Sequence, residues 1–203
     1  MHDRSPLVSA FVEAARSALS SATVDGATKS ALAKVFGSIS SGRPLSASRR
    51  EMFPVCALVD PLLEELEGKD ERLGDLAKTL RPLLSHLGWR RREGGPNASD
   101  NFMDGHATGM IIGPGGAEDR HDVWVGLTIM RPNVRYPDHS HPPEEVYLAL
   151  SNGEFRQDEA EWFDPGIGGV FHSPPGIVHG MRSGEAPMLA LWLLPIVPKP
   201  STS

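Results

Sequence analysis

From about residue 101 onward the chain is cut into short apolar runs, and this constrains its fold more than any other feature. "HATGMIIG", "DVWVGLTIM", "EEVYLAL", "GGVFHS", "GIVHGMRS" and "PMLALWLLP" are rich in Val, Ile, Leu and Trp, and Gly, Pro, Asn and Asp part them at short intervals. Runs of strand length with turn residues between them describe an antiparallel sandwich or barrel. No repeat at a solenoid period and no low-complexity tract competes with that reading.

Up to Trp89 the period is helical instead. In "SPLVSAFVEAARSALSSA", Leu7, Phe11, Ala14, Ala15 and Leu19 approximate a stripe, with Ser5 as N-cap and Pro6 in the first turn. "GATKSALAKVFGSI" and "VDPLLEELEGKDERLGDLAKTLRPLLSHLGW" continue it, interrupted at Gly68 and Pro82. The polar, Gly- and Pro-containing "RRREGGPNASDN" reads as a linker. The expected organisation is therefore a helical region over 1–89, a linker over 90–100 and a β-barrel over 101–198: a mainly β protein with a helical N-terminal part.

Composition removes several classes of function. The 203 residues suit one good core or one core with a small appendage. Net charge is −6, and the 20 Lys and Arg residues are dispersed, so the basic stripe that nucleic acid requires is missing. No apolar run approaches the roughly 20 residues of a spanning helix, and Asp, Glu and Arg interrupt the N-terminus where a signal peptide is apolar. A cytoplasmic protein without membrane or nucleic-acid partners is expected. The single cysteine, Cys56, lies in "FPVCALV", the setting of a buried and inert thiol.

The chemistry gathers in "HSHPPEEVYLAL". His139, His141, Glu145 and Tyr147 are all odd-numbered, so an unbroken strand would send all four to one face. Pro142 and Pro143 argue for a bend, from which Glu145 still reaches back toward the histidines. HxHxxxE supplies imidazole nitrogen and carboxylate oxygen, both ligands of divalent transition metals. In "GGVFHSPPGIVH" a Pro-Gly turn restarts a strand that delivers His179 to the same cavity. Three imidazoles and one carboxylate would then share one ion, for which Zn, Fe(II), Mn, Ni and Co are about equally suited. The glycine-rich "GPGGAEDRHD" lacks a phosphate-cradling ending and reads as a hairpin loop. His106 and His121 read as solvated, His172 falls outside the cluster's spacing, and Asp158, Glu159 and Glu161 read as a solvent-facing turn.

HxHxxxE followed by Gly168-x5-Pro174-x-Gly176-x-x-His179 resembles the two motifs of the cupin superfamily, small β-barrels with a metal inside. The family's glycine comes one residue late, at Gly153, and its later asparagine is Ser183; neither position supplies a ligand. "YPDHSHPPEEVYLALSNGE", with the helical preface and "PPGIVHGMRS", is similar to the bacterial dimethylsulfoniopropionate (DMSP) lyases of the DddQ type.

That resemblance implies ligation by His141, Glu145 and His179, with His139 in the first position of the HxH pair. It also implies Tyr147 as a ligand that becomes the catalytic base and Tyr136 as its neighbour among the catalytic candidates. The implied reaction is a β-elimination of a zwitterion to dimethyl sulfide and acrylate, with the metal holding the carboxylate. A cation beside a phenol that ordinarily ionises near 10 favours the phenolate, and dimethyl sulfide leaves without a dedicated acid. Tyr136, Trp124, Trp162 and Trp192 are candidates for a cation–π box around the sulfonium. Two alternatives remain open on these residues: an Fe(II) cupin dioxygenase and a non-catalytic small-ligand binder. The helical region could cover the barrel mouth, build a homodimer, or both.

Overall fold

The computed structural model describes residues 4–46 and 52–196. The last two residues of the expected barrel, the first three of the expected helical region and its stretch 47–51 lie outside the described residues. Helices α1 (Pro6–Ser21), α2 (Gly26–Ser38), α3 (Val59–Glu67) and α4 (Glu71–Leu80) open the chain. Ser5 is the N-cap of α1 with Pro6 in its first turn. The carboxylates of Asp25 and Asp70 accept the free N–H groups that start α2 and α4. α3 stops at Gly68, and α4 tightens into a 3₁₀ segment, Arg81–His86, that contains Pro82. Both interruptions lie where the sequence puts them.

Among the described residues eight strands follow: β1 (Gly88–Arg90), β2 (His106–Ile112), β3 (Val123–Met130), β4 (Glu145–Ala149), β5 (Glu154–Gln157), β6 (Val170–Ser173), β7 (His179–Arg182) and β8 (Met188–Pro195). One turn of helix, α5 (Phe102–Gly105), leads into β2. All pairings are antiparallel, in a six-stranded sheet of order β1-β2-β3-β8-β4-β6 and a two-stranded sheet β5-β7. Residues 134–139 run beside β7, with bridges Arg135↔Arg182 and His139↔His179. The two sheets enclose a shared interior.

Alternation along the strands decides which face does what. Odd residues of β3 and β8, among them Val125, Leu127, Leu191 and Leu193, together with Val146 and Leu148 of β4, pack against the helices. The opposite faces contribute Trp124, Met130, Tyr147, Ala149, Ala190, Trp192 and Leu194 to a second cluster between the sheets. "MLALWLLP" is buried along its whole length because β8 is covered on both sides. The helices therefore share one core with the sheet. The stretch expected to be a linker is docked: Arg90 closes β1, and Asn97 Nδ2 donates to Asp138 Oδ2 at 2.7 Å.

The β2–β3 connection is a loop, as its glycines suggest, but it carries an ion cluster the sequence did not reveal. Glu118 is fully buried and accepts from Arg4 Nε at 2.7 Å and Arg120 Nη1 at 2.9 Å. Arg120 and Arg4 in turn donate to carbonyls at the end of α2, Ser38 and Ile39. The Arg4–Glu118 pair joins residues 114 positions apart in sequence, which no local pattern records. Cys56 is buried, and burial raises its thiol pKa above the ordinary range, consistent with an inert thiol.

Candidate metal centre

Glu145 and Tyr147 share the inner face of β4, as their spacing of two requires. The histidines before them are not on that strand. His139 stands in the extended segment beside β7 and exchanges both backbone bonds with His179, at 3.0 and 2.8 Å. Chain direction then changes over Pro142 and Pro143, because proline cannot continue the ladder, and His141 ends up facing back toward β4. The bend that Pro142 and Pro143 suggest separates two segments, whose side chains converge across it.

His179 arrives by a turn. Ile177 N donates to Pro174 O at 3.2 Å, Pro175 takes the second position, and Gly176 the third with φ +74°. That is the type II pattern, where positive φ favours glycine. Gly176 N also donates to His141 O at 2.9 Å, which ties the turn to the opposite wall.

The tautomers follow from hydrogen bonds. Nδ1 of His139, His141 and His179 lies 2.9, 2.8 and 3.1 Å from the carbonyls of Pro137, Pro143 and Ile177. A carbonyl only accepts, so each Nδ1 carries hydrogen; in a neutral ring Nε2 is then left with its lone pair for a metal, and without a cation a ring meets Glu145 by carrying a second proton on Nε2. His141 Nε2 and His179 Nε2 stand 2.9 and 3.2 Å from Glu145 Oε2. The donor atoms of His139, His141, Glu145 and His179 all lie within 4.8 Å of one another. Lone pairs and a carboxylate facing one point have nothing to share there except a proton or a cation. Nitrogen and oxygen donors with carbonyl-bonded outer nitrogens suit a divalent transition metal, so the residues fit the ion that their spacing implies.

Electrostatics point the same way. Burial pushes the Glu145 carboxyl up, but hydrogen bonds from His141 and His179 overcome it and hold the group at about 2, ionised inside the protein. Burial and the neighbouring His179 lower His139 to about 4, so it is neutral at pH 7. His141 feels the same desolvation, yet the Glu145 carboxylate reverses it and raises the ring above its ordinary value. Tyr147 donates to Glu145 Oε2 at 2.8 Å. Burial, then the adjacent carboxylate, drives its phenol well above the usual 10 in the absence of a cation.

A cavity of about 210 Å³ opens over this cluster. Tyr136, Trp124 and Trp192 line it together with Met110, Met181 and Leu194. Trp162 does not reach it: its ring lies outside, with the guanidinium groups of Arg135, Arg156 and Arg182 at 5.3, 4.9 and 4.4 Å. The sequence pattern could not separate these tryptophans because only β-sheet registry tells which face each occupies. Tyr136 is buried, which raises its pKa, while Arg92 opposes the shift. Its ring is hemmed by Phe102, His106 and His139 at 5.0, 5.5 and 5.3 Å.

Of the histidines set aside, His121 is exposed, and His172 pairs with Glu144 at 3.1 Å away from the cluster. His106 differs from expectation. It is fully buried and stacked on Phe102, and its Nε2 accepts from Arg92 N at 2.9 Å. Arg92 and Thr128 line the cavity without having been singled out. Thr128 sits two positions from Met130 on the inner face of β3, a relation visible in the sequence only once the register is known.

The family model described as dimethylsulfoniopropionate lyase matches residues 27–190. The chain is 34% identical over 107 residues to dimethylsulfoniopropionate lyase DddQ of Ruegeria pomeroyi (strain DSS-3), a match covering 52% of this chain and 53% of that protein. The chain thus aligns with about half the length of this curated relative. Among solved structures, the crystal structure of the Ruegeria pomeroyi DddQ aligns with 80% of this chain and 79% of its own, at TM-score 0.56 and 24% identity. A chain from crystal structures of DMSP lyases RdDddP and RnDddQII aligns with 94% of this chain and 93% of its own, at TM-score 0.69 and 20% identity. At those identities the structural likeness speaks for the fold, and the family model speaks for kinship: the chain belongs to the dimethylsulfoniopropionate lyase family.

Proposed function

We propose that this protein is a metal-dependent carbon–sulfur lyase that cleaves DMSP into dimethyl sulfide and acrylate. The observation that carries the reading is the Tyr147 hydroxyl, buried in the cavity wall and 2.8 Å from the one carboxylate oxygen that also meets two imidazoles. A phenol in that position is a base waiting for a positive neighbour. When bound, a divalent ion at His139, His141, Glu145 and His179 supplies that charge, lowering the proton affinity of Tyr147 and stabilising negative charge on the substrate carboxylate.

Tyr147 Oη then takes the proton from the carbon beside the carboxylate. The electrons of that C–H bond form the carbon–carbon double bond, and the C–S bond breaks with its electron pair leaving on sulfur. The chain's other residues bind and shield. Trp124 and Trp192 offer aromatic faces to the sulfonium, and Met110, Met181 and Leu194 keep water from the reacting carbons. Tyr136 stands beside His139 as part of the pocket wall. Nitrogen and oxygen donors accept Zn, Fe(II), Mn, Ni or Co.

The test is headspace gas chromatography of the metal-loaded protein incubated with DMSP without oxygen. Dimethyl sulfide with one acrylate per molecule supports the lyase. No dimethyl sulfide from protein that demonstrably holds its metal overturns it, and product formed only with oxygen assigns the site to a dioxygenase.

A further inference from the structure

Two arginines line the cavity, and they differ in what occupies them. Arg90 Nη2 donates to Pro114 O at 2.9 Å. Arg92 makes no ion pair with any carboxylate among the described residues, in contrast to Arg4, Arg81, Arg91, Arg120, Arg135, Arg156 and Arg182. The residue is exposed, and its guanidinium stands over the Tyr136 ring, 5.9 Å from the centroid, within hydrogen-bond reach of that phenol and on the solvent side of the cavity it lines.

The backbone beneath it is fixed. Arg92 N–H donates to His106 Nε2, whose Nδ1–H is held by Phe102 O at 2.6 Å in a fully buried ring. A buried histidine thus serves as the pin that sets Arg92 beside the cavity. Charge completes the case: among the titratable groups lining the cavity, Glu145 is the only carboxylate, and it is committed to the imidazoles and Tyr147. With a divalent ion below and Arg92 above, the cavity carries surplus positive charge and calls for an anionic ligand group.

We infer that Arg92 is the residue that selects and positions the substrate carboxylate, gripping it from the mouth of the cavity. The same charge repels a sulfonium from the Tyr136 ring, so the cationic end turns toward Trp124 and Trp192. This orientation rests on the lyase reading above; the anion grip itself does not.

The experiment uses propionate, a carboxylate without a sulfonium, and (2-hydroxyethyl)dimethylsulfonium, the reverse, titrated calorimetrically into metal-loaded and metal-stripped full-length protein. In Arg92→Met, propionate is expected to bind about 10- to 100-fold more weakly, the loss of a charge-assisted hydrogen bond. Arg92→Lys should recover part of that affinity, and the carboxylate-free sulfonium should bind neither variant more weakly than it binds the parent. In turnover, KM for DMSP rises by the same factor while kcat stays within about threefold, the mark of lost uniform binding. Propionate binding unchanged in Arg92→Met overturns the assignment. If the parent releases no dimethyl sulfide but binds propionate through Arg92, the lyase reading falls and the carboxylate grip stands.

Discussion

At the scale of single residues the centre turns on one carboxylate oxygen. Glu145 Oε2 meets His141, His179 and Tyr147 at 2.9, 3.2 and 2.8 Å, so it sets both the donor cluster and the state of the phenol. Tyr147→Phe removes one hydroxyl and leaves the ring packed beside Phe155. Dimethyl sulfide release is expected to drop below about one-thousandth of the parent, while the metal still binds and stability falls by only ~1–2 kcal/mol for the lost hydrogen bond. Gas chromatography beside thermal unfolding checks both; a binder in place of an enzyme would show only weakened affinity.

The metal-free protein should also show a pH signature. His139 has a folded value of about 4 against an ordinary 6.5, so between those limits the unfolded chain binds the extra proton and stability falls as pH falls. The size is on the order of 3 kcal/mol. His141 is raised instead, so its contribution is present below its ordinary pKa and is lost as pH rises through its folded value. Stability in chelator is therefore expected to peak near pH 6.5, and His139→Asn should flatten the acid side of a urea denaturation series. The residues of this centre were legible because HxHxxxExY is compact in sequence. Arg92 was not, because an arginine in "RRREGG" looks like any linker charge until His106 is seen holding its backbone.

At the scale of elements, strand parity explains both what was readable and what was not. Glu145 and Tyr147 are two apart on β4 and share its inner face, so their partnership could be read directly. The helices were equally plain, since the cap at Ser5 and the interruptions at Gly68 and Pro82 are local signals. Which tryptophans face the cavity depends on pairing between strands. Trp192 lies opposite Gly126 of β3, where any Cβ would overlap both its indole ring and the Gly109 carbonyl of β2. That glycine holds a place for the ring rather than supplying an unusual φ. Gly126→Ala is expected to push the indole into the cavity, costing about 1–3 kcal/mol of stability and raising KM for DMSP severalfold. Calorimetric unfolding and steady-state kinetics measure the two effects; a parent-like KM would remove Trp192 from the substrate wall.

At the scale of the whole molecule, the helical region and the β region share one hydrophobic core. The outer faces of β3, β4 and β8 are apolar and find their cover in the helices, and α2 is tied to the β2–β3 loop through Arg120 and the buried Glu118. The sequence showed two periods and suggested two regions. It could not show that neither region buries its apolar face without the other. A fragment beginning at residue 88 exposes Leu189, Leu191 and Leu193, and is expected to aggregate rather than give the sharp thermal transition of the full chain; a cooperatively folding fragment would argue for separate domains. No helix among the described residues is long and apolar enough to cross a membrane.

On the proposed function, these scales meet at a single cation centre on which turnover would depend. The most direct measurement is stepwise addition of a divalent ion to chelator-stripped protein, with bound metal and anaerobic dimethyl sulfide release followed in the same samples. Release should rise in proportion to occupancy and level off at one ion per chain, and Glu145→Gln should bind metal poorly and release little. Full release from stripped protein, or release unrelated to occupancy, would contradict it.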